Sequence, residues 1–166
     1  MQWNNYRVIS ALLFIGSVIG MAFALYLEHV QGLEPCPLCV FQRVGLIGLG
    51  LISLIALIHN PVSNTFKRSY ALLATLSILW SAGVAARHIW LQNLPPDKVP
   101  SCGPGLEYLV DALPMKTVLA QVLSGSGECA VVDWTFLGQS LPVWSFVFFA
   151  VLTLISVWQL FRRYPI

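Results

Sequence analysis

Val8 to Leu27 reads VISALLFIGSVIGMAFALYL, twenty consecutive residues without an Asp, Glu, Lys, Arg or His. A helix needs about 20 apolar residues to cross the hydrocarbon of a bilayer. Three more stretches have this character. Leu38 to Ile58 is apolar apart from Gln42 and Arg43 near its start, Tyr70 to Trp90 is charged only at Arg87 and His88, and Leu141 to Phe161 is uncharged. None alternates as a transmembrane barrel strand would, and helices and closed barrels are the only structures that satisfy their backbone in lipid. The reading is an all-α membrane protein, a bundle of four transmembrane helices with spans at about 8–27, 38–58, 70–90 and 141–161, forming one domain over 1–166. The first run continues past Ala22-Phe23-Ala24, where a cleavable leader would end.

Composition agrees. Of 166 residues, 57% are hydrophobic and 10% charged, and the mean hydropathy is +0.76. Soluble domains carry roughly 25% charged residues, so lipid is the natural solvent here. A net charge of +2, with no basic run to follow a phosphate backbone, excludes nucleic acid as a partner class.

The segments between spans fall on two sides. Met1–Arg7, the loop His59–Ser69 and the tail from Arg162 carry Arg7, Lys67, Arg68, Arg162 and Arg163 and no acid. The loops 28–37 and 91–140 carry all seven acids against only Lys98 and Lys116. An excess of Lys and Arg marks the cytoplasmic side, so both termini are expected inside and the two acidic loops outside. Trp3, Trp90, Trp144 and Trp158 lie near the expected interfaces, where indole rings anchor.

All four cysteines, Cys36, Cys39, Cys102 and Cys129, fall on the outer side or at its membrane edge. That side was assigned from charge alone, so the agreement is independent. An even count in an oxidising compartment suggests disulfides, and four cysteines allow three pairings. Cys36-Pro37-Leu38-Cys39 is a C-x-x-C pair of the kind used in reversible redox chemistry. No His follows it, as haem attachment requires, and no second tight pair completes a four-cysteine zinc site, so no metal is expected. Pro37 suits the first turn of a helix, which places both thiols at a helix N-terminus, where the dipole favours a thiolate.

Arg43 follows Cys39 by four residues and shares its helix face. Arg87 and His88 fall at the same membrane depth at the outer end of the third span, and ionisable groups within spans are functional candidates. Snorkelling to the headgroups is the simpler role for Arg87. His29 and His59 lie in loops and are assigned nothing. In the long outer loop, Pro100–Gly105 around Cys102 and Ser124–Glu128 before Cys129 read as irregular and flexible. Between them Met115, Val118, Leu119, Val122 and Leu123 recur at helical spacing. They predict a short amphipathic helix on the membrane surface or on the bundle top.

The run Cys36-Pro37-Leu38-Cys39-Val40-Phe41-Gln42-Arg43 resembles the DsbB family, the disulfide bond formation protein B of bacterial inner membranes. Glu128-Cys129-Ala130 and Trp134-Thr135-Phe136-Leu137-Gly138 resemble the segment before that family's fourth span. With the four-span layout, the resemblance covers nearly the whole chain. It implies a dithiol:quinone oxidoreductase that reoxidises a DsbA-like periplasmic thiol oxidase. The partner's dithiol attacks a Cys102–Cys129 disulfide, with Cys102 forming the mixed disulfide. Electrons then pass to Cys36–Cys39. Cys39 faces a bound quinone (ubiquinone or menaquinone), Arg43 stabilises that complex, and His88 falls where the family places a quinone-contacting His. Family members vary at Pro37 and across the loop between Cys102 and Cys129. Vitamin K epoxide reductase-like enzymes also join a C-x-x-C to a quinone, but there the pair belongs to a late span, whereas here it opens the second. The non-enzymatic alternative is a membrane scaffold or assembly protein clasped by two structural disulfides.

Overall fold

The computed structural model describes residues 5–100, 106–132 and 134–162. Four long helices dominate: α1 (Asn5–His29), α2 (Pro37–His59), α3 (Asn64–Gln92) and α6 (Leu141–Phe161). All four are long and apolar enough to cross a membrane. Two short helices, α4 (Leu106–Ala112) and α5 (Met115–Ser124), fold the connection between α3 and α6 over one end of the bundle. A two-residue hairpin, β1 (Thr135–Phe136) and β2 (Gln139–Ser140), leads into α6. Its turn uses left-handed backbone at Leu137 and Gly138, with φ 51° and 77°, the twist that tight hairpins favour.

α3 begins six residues before the apolar stretch that announces it. The sequence suggests a loop over His59–Ser69, but the connection is only Asn60–Ser63, and Lys67 and Arg68 lie on the helix. Apolarity marks where a helix meets hydrocarbon; it does not mark where a helix continues into the headgroup layer. Asn60, in left-handed conformation with φ 41° and ψ 59°, closes α2.

The helices associate through small residues and hydroxyl groups, because lipid is as apolar as a Leu side chain and gives no hydrophobic drive between helices. Gly45, Gly48 and Gly50 on α2 let neighbouring serines approach the backbone. Ser77 Oγ donates to Gly45 O at 2.9 Å, Ser81 Oγ to Gln42 O at 2.8 Å and Ser17 Oγ to Leu46 O at 2.7 Å. A methyl group on Gly50 would meet Ser17 Oγ at 2.6 Å. Leu13, Leu46, Leu49, Ile78 and Phe149 fill the central core, while Leu12, Ile15, Ile19, Ile55, Leu76 and Leu154 point outward.

The seam between α1 and α6 is uneven. At one end Gln159 Nε2 donates to Ser10 Oγ at 3.0 Å, buried. At the other end, where Cys36 and Cys39 lie, the seam opens into a cavity lined by Gly20, Phe23, Ala24, Pro142, Trp144 and Phe148.

Candidate functional site

The cavity of about 350 Å³ reaches from this open seam to Cys36, Cys39, Gln42 and Arg43 of α2 and His88 of α3. Its volume is that of a small-molecule site. The walls are largely apolar, and Glu34, Gln92, Glu128 and Ser145 add polar groups to those of α2 and His88.

Cys36 is the N-cap residue of α2, with φ −66° and ψ 162°, and Pro37 supplies the first helical residue. Both thiols therefore stand at the positive end of the helix, as the spacing predicts. The two sulfurs are 3.3 Å apart and unbonded. Leu38, between them, is fully buried against Val84, Leu91, Val118 and Val122. It pins the motif so that Cys36 and Cys39 face the cavity while the backbone stays fixed to α3 and α5.

His88 is buried. Its Nε2 lies 3.9 Å from Cys36 Sγ and its Nδ1 3.9 Å from Cys39 Sγ. The buried Gln42 carboxamide approaches Nδ1 at 3.4 Å. His88 thus joins the motif across 49 residues of sequence, with one ring nitrogen near each sulfur.

Arg43 lines the same cavity, but its guanidinium is engaged by α1. Nη1 donates to Glu28 Oε2 in an ion pair, and Nη2 donates to the Ala24 carbonyl at 3.4 Å. The sequence reading pairs Arg43 with Cys39 and overlooks Glu28. The only hint in the sequence is an acid at the membrane edge of the first span.

Arg87 stands apart from these groups. It turns to the loop, where Nε donates to Leu123 O at 3.1 Å and Nη2 to Ser124 O at 3.0 Å. Its guanidinium also stacks on Trp90 at 4.0 Å. A cation on the last carbonyls of α5 complements that helix's dipole. The residue expected to snorkel therefore anchors the segment that carries Cys129.

That segment corrects a second expectation. Ser124–Glu128 reads as flexible, yet Gly127–Ala130 forms a 3₁₀ turn and Cys129 is 1% exposed, packed on Leu38 and Val122. Gly125, at φ 89°, allows the chain to turn closely over Leu91. Ser126 Oγ lies 3.6 Å from Cys129 Sγ. The Cys36 thiol beside Cys129, followed by burial, pushes the Cys129 thiol well above the ordinary cysteine range. Cys102 lies outside the described residues. The predicted amphipathic helix is α5, with Val118 and Val122 on the bundle top and Met115 exposed. Chemically, the arrangement offers thiols able to exchange in sequence, beside a largely apolar cavity into which a few polar groups project.

Comparison with known proteins bears directly on this arrangement. The sequence profile of Disulfide bond formation protein DsbB matches residues 6–159. Disulfide bond formation protein B of Acinetobacter baylyi is 70% identical over 166 residues, covering 100% of this chain and 96% of the relative. The protein of the same name from Saccharophagus degradans is 52% identical over 159 residues, covering 96% and 95%. The one from Hahella chejuensis is 47% identical over 161 residues, covering 97% of each. With four membrane-length helices and the three described cysteines gathered at one bundle end, the chain belongs to the disulfide bond formation protein B family, multi-pass membrane oxidoreductases that form disulfides.

Proposed function

We propose that the protein reoxidises a DsbA-like dithiol oxidase and delivers the electrons to a membrane quinone held in the cavity between α1 and α6. The observation that carries this is the order of the sulfurs. Cys129 lies beside Cys36, Cys36 is 3.3 Å from Cys39, and Cys39 lines the cavity with Arg43. Each neighbour in this chain can exchange with the next.

The chemistry balances over two electrons. A partner thiolate attacks Cys102 in a Cys102–Cys129 disulfide and is released as the oxidised partner when its second thiol closes on the first. Cys102 and Cys129 are left as thiols. Cys129 then attacks Cys36 of a Cys36–Cys39 disulfide, forming Cys129–Cys36 and freeing the Cys39 thiolate. Cys102 closes back on Cys129, which leaves Cys36 and Cys39 reduced. Every step needs a thiolate and an accessible sulfur. A disulfide that oxidises a strong thiol oxidant must itself be strongly oxidising or be drained by an acceptor.

The donor set fits a quinone. Apolar walls suit the ring and tail, and Arg43, Gln42 and His88 cluster where a carbonyl oxygen would need donors. Bound there, a quinone, ubiquinone or menaquinone, supplies a two-electron, two-proton acceptor. Cys39 holds its sulfur at the wall, Arg43 supplies positive charge beside it, and His88 is placed to move a proton. The basic end of the bundle carries Arg7, Lys67, Arg68 and Arg162. By the positive-inside rule that end faces the cytoplasm with both termini, and the cysteines face the periplasm across a bacterial inner membrane. The test is oxidation of a reduced DsbA-type protein by membranes containing this chain, read as loss of the partner's alkylatable thiols. The expected result is multiple turnovers, abolished by serine at any of the four cysteines. Equal oxidation by the Cys39→Ser protein contradicts the proposal.

A further inference from the structure

We propose that Cys36, Cys39 and His88, with both thiols reduced, form an inhibitory binding site for a zinc-class divalent cation. The C-x-x-C pair alone gives two ligands, and the sequence offers no second tight pair. The fold supplies the third from α3. One ligand atom from each residue lies within 4.8 Å of the other two, with the sulfurs 3.3 Å apart and His88 Nε2 3.9 Å from Cys36 Sγ. Zinc–sulfur bonds of about 2.3 Å and zinc–nitrogen bonds of about 2.0–2.1 Å in a tetrahedron separate ligand atoms by ~3.5–3.8 Å. Side-chain rotation that closes the widest of these separations, at most 4.8 Å, by about 1 Å converts the observed triad to that geometry.

Three further features favour a cation. Metal-bound histidines almost always hydrogen-bond through their other ring nitrogen. Here the buried Gln42 carboxamide stands 3.4 Å from Nδ1 and holds it when the amide oxygen faces the ring. All three ligands line the cavity, so the fourth position opens to it and takes water, as in zinc sites with an open position. Finally, two thiolates neutralise a dication. The loaded site carries no net charge, which suits a half-buried position at the membrane edge.

Binding is a proton exchange without electron transfer. Cys36 and Cys39 each release a proton as their sulfur–metal bonds form, and neutral His88 adds a nitrogen lone pair. A Cys36–Cys39 disulfide has no thiolate to offer. The cation therefore captures the reduced form alone and withholds both sulfurs from oxidation.

The test uses the full-length chain in detergent, reduced and kept anaerobic, titrated with Co²⁺ as a spectroscopic probe for zinc. The expected result is one site with thiolate-to-cobalt absorption and tetrahedral visible bands, displaced by Zn²⁺ and absent from the oxidised protein. The Cys102→Ser/Cys129→Ser double variant keeps it. Cys36→Ser, Cys39→Ser and His88→Ala each weaken it at least about tenfold, the smallest loss expected when even an outer-shell partner is removed. X-ray absorption on the zinc-loaded native chain, which needs no variant to fold, should show two sulfurs and an imidazole. A site that requires Cys129 or Cys102, survives His88→Ala unchanged, shows three or more sulfurs, or never appears overturns the proposal.

Discussion

Arg43 on α2, which lines the cavity, is held by an ion pair to Glu28 in the last turn of α1. The pair ties α1 to α2 beside the cavity and fixes where the guanidinium stands relative to Cys39. Both side chains are partly exposed, at 20% and 30%, so the pair contributes about 1 kcal/mol or less to stability. Arg43→Met removes the charge itself and should raise the quinone KM at least tenfold while the protein stays folded. Glu28→Gln loosens the positioning only, and about 1 kcal/mol corresponds to a roughly fivefold or smaller rise in KM. Steady-state kinetics at varied quinone concentration on both variants checks the ranking. An Arg43→Met enzyme with unchanged KM would remove Arg43 from the site.

Arg87 acts through the loop. Its two hydrogen bonds to Leu123 O and Ser124 O end α5 just before the turn that buries Cys129. Charged hydrogen bonds of this kind contribute about 1.5–3 kcal/mol. Arg87→Met should therefore let the Cys129 segment open at least about tenfold more often, since 1.4 kcal/mol is a factor of ten. The check is the alkylation rate of Cys129 in the reduced protein, with helicity unchanged.

Cys129 also carries a pH signature. Its thiol is raised first by Cys36 and then by burial. A raised thiol stays protonated through the ordinary cysteine range and ionises only at higher pH, so its contribution to stability is full below the ordinary thiol value and is lost as pH rises from there through the higher folded-state value. Alkylation of Cys129 should therefore begin at higher pH than in an unfolded peptide. Cys36→Ser removes the largest cause, so the onset should move to lower pH. A pH–rate profile followed by mass spectrometry distinguishes the two. An onset unmoved by Cys36→Ser contradicts the contact between these sulfurs.

The helix seam offers a stability test. Gly50→Val would drive a side chain into Ser17 Oγ and displace its bond to Leu46 O. Overpacking of this kind costs about 1–3 kcal/mol, and an interhelical hydrogen bond in a membrane contributes about 0.6. A lower detergent-denaturation midpoint is expected, with the cavity residues untouched.

What the sequence revealed and what it hid divide along physical lines. The spans were legible because crossing hydrocarbon demands about 20 apolar residues. Cys36-x-x-Cys39 was legible because its spacing is local, and His88 because an ionisable group at membrane depth invites a question. Glu28 was not, because its partner Arg43 is on another helix and only packing brings them together. The start of α3 was hidden because Lys67 and Arg68 look like loop residues to any measure of apolarity. The burial of Cys129 was hidden for a related reason. Gly and Ser around it read as flexible, while the residues that order the segment, Leu38, Arg87 and Leu91, are far away in sequence.

In the proposed route, electrons enter at the loop cysteines and leave through Cys39 to a quinone. Anaerobic quinone reduction by the purified protein, with a reduced DsbA-type dithiol as sole donor, tests it most directly. One quinol per partner disulfide formed is expected, and none from Cys39→Ser. Quinol formation that persists in Cys39→Ser, or none from the native protein with all four cysteines present, would contradict it.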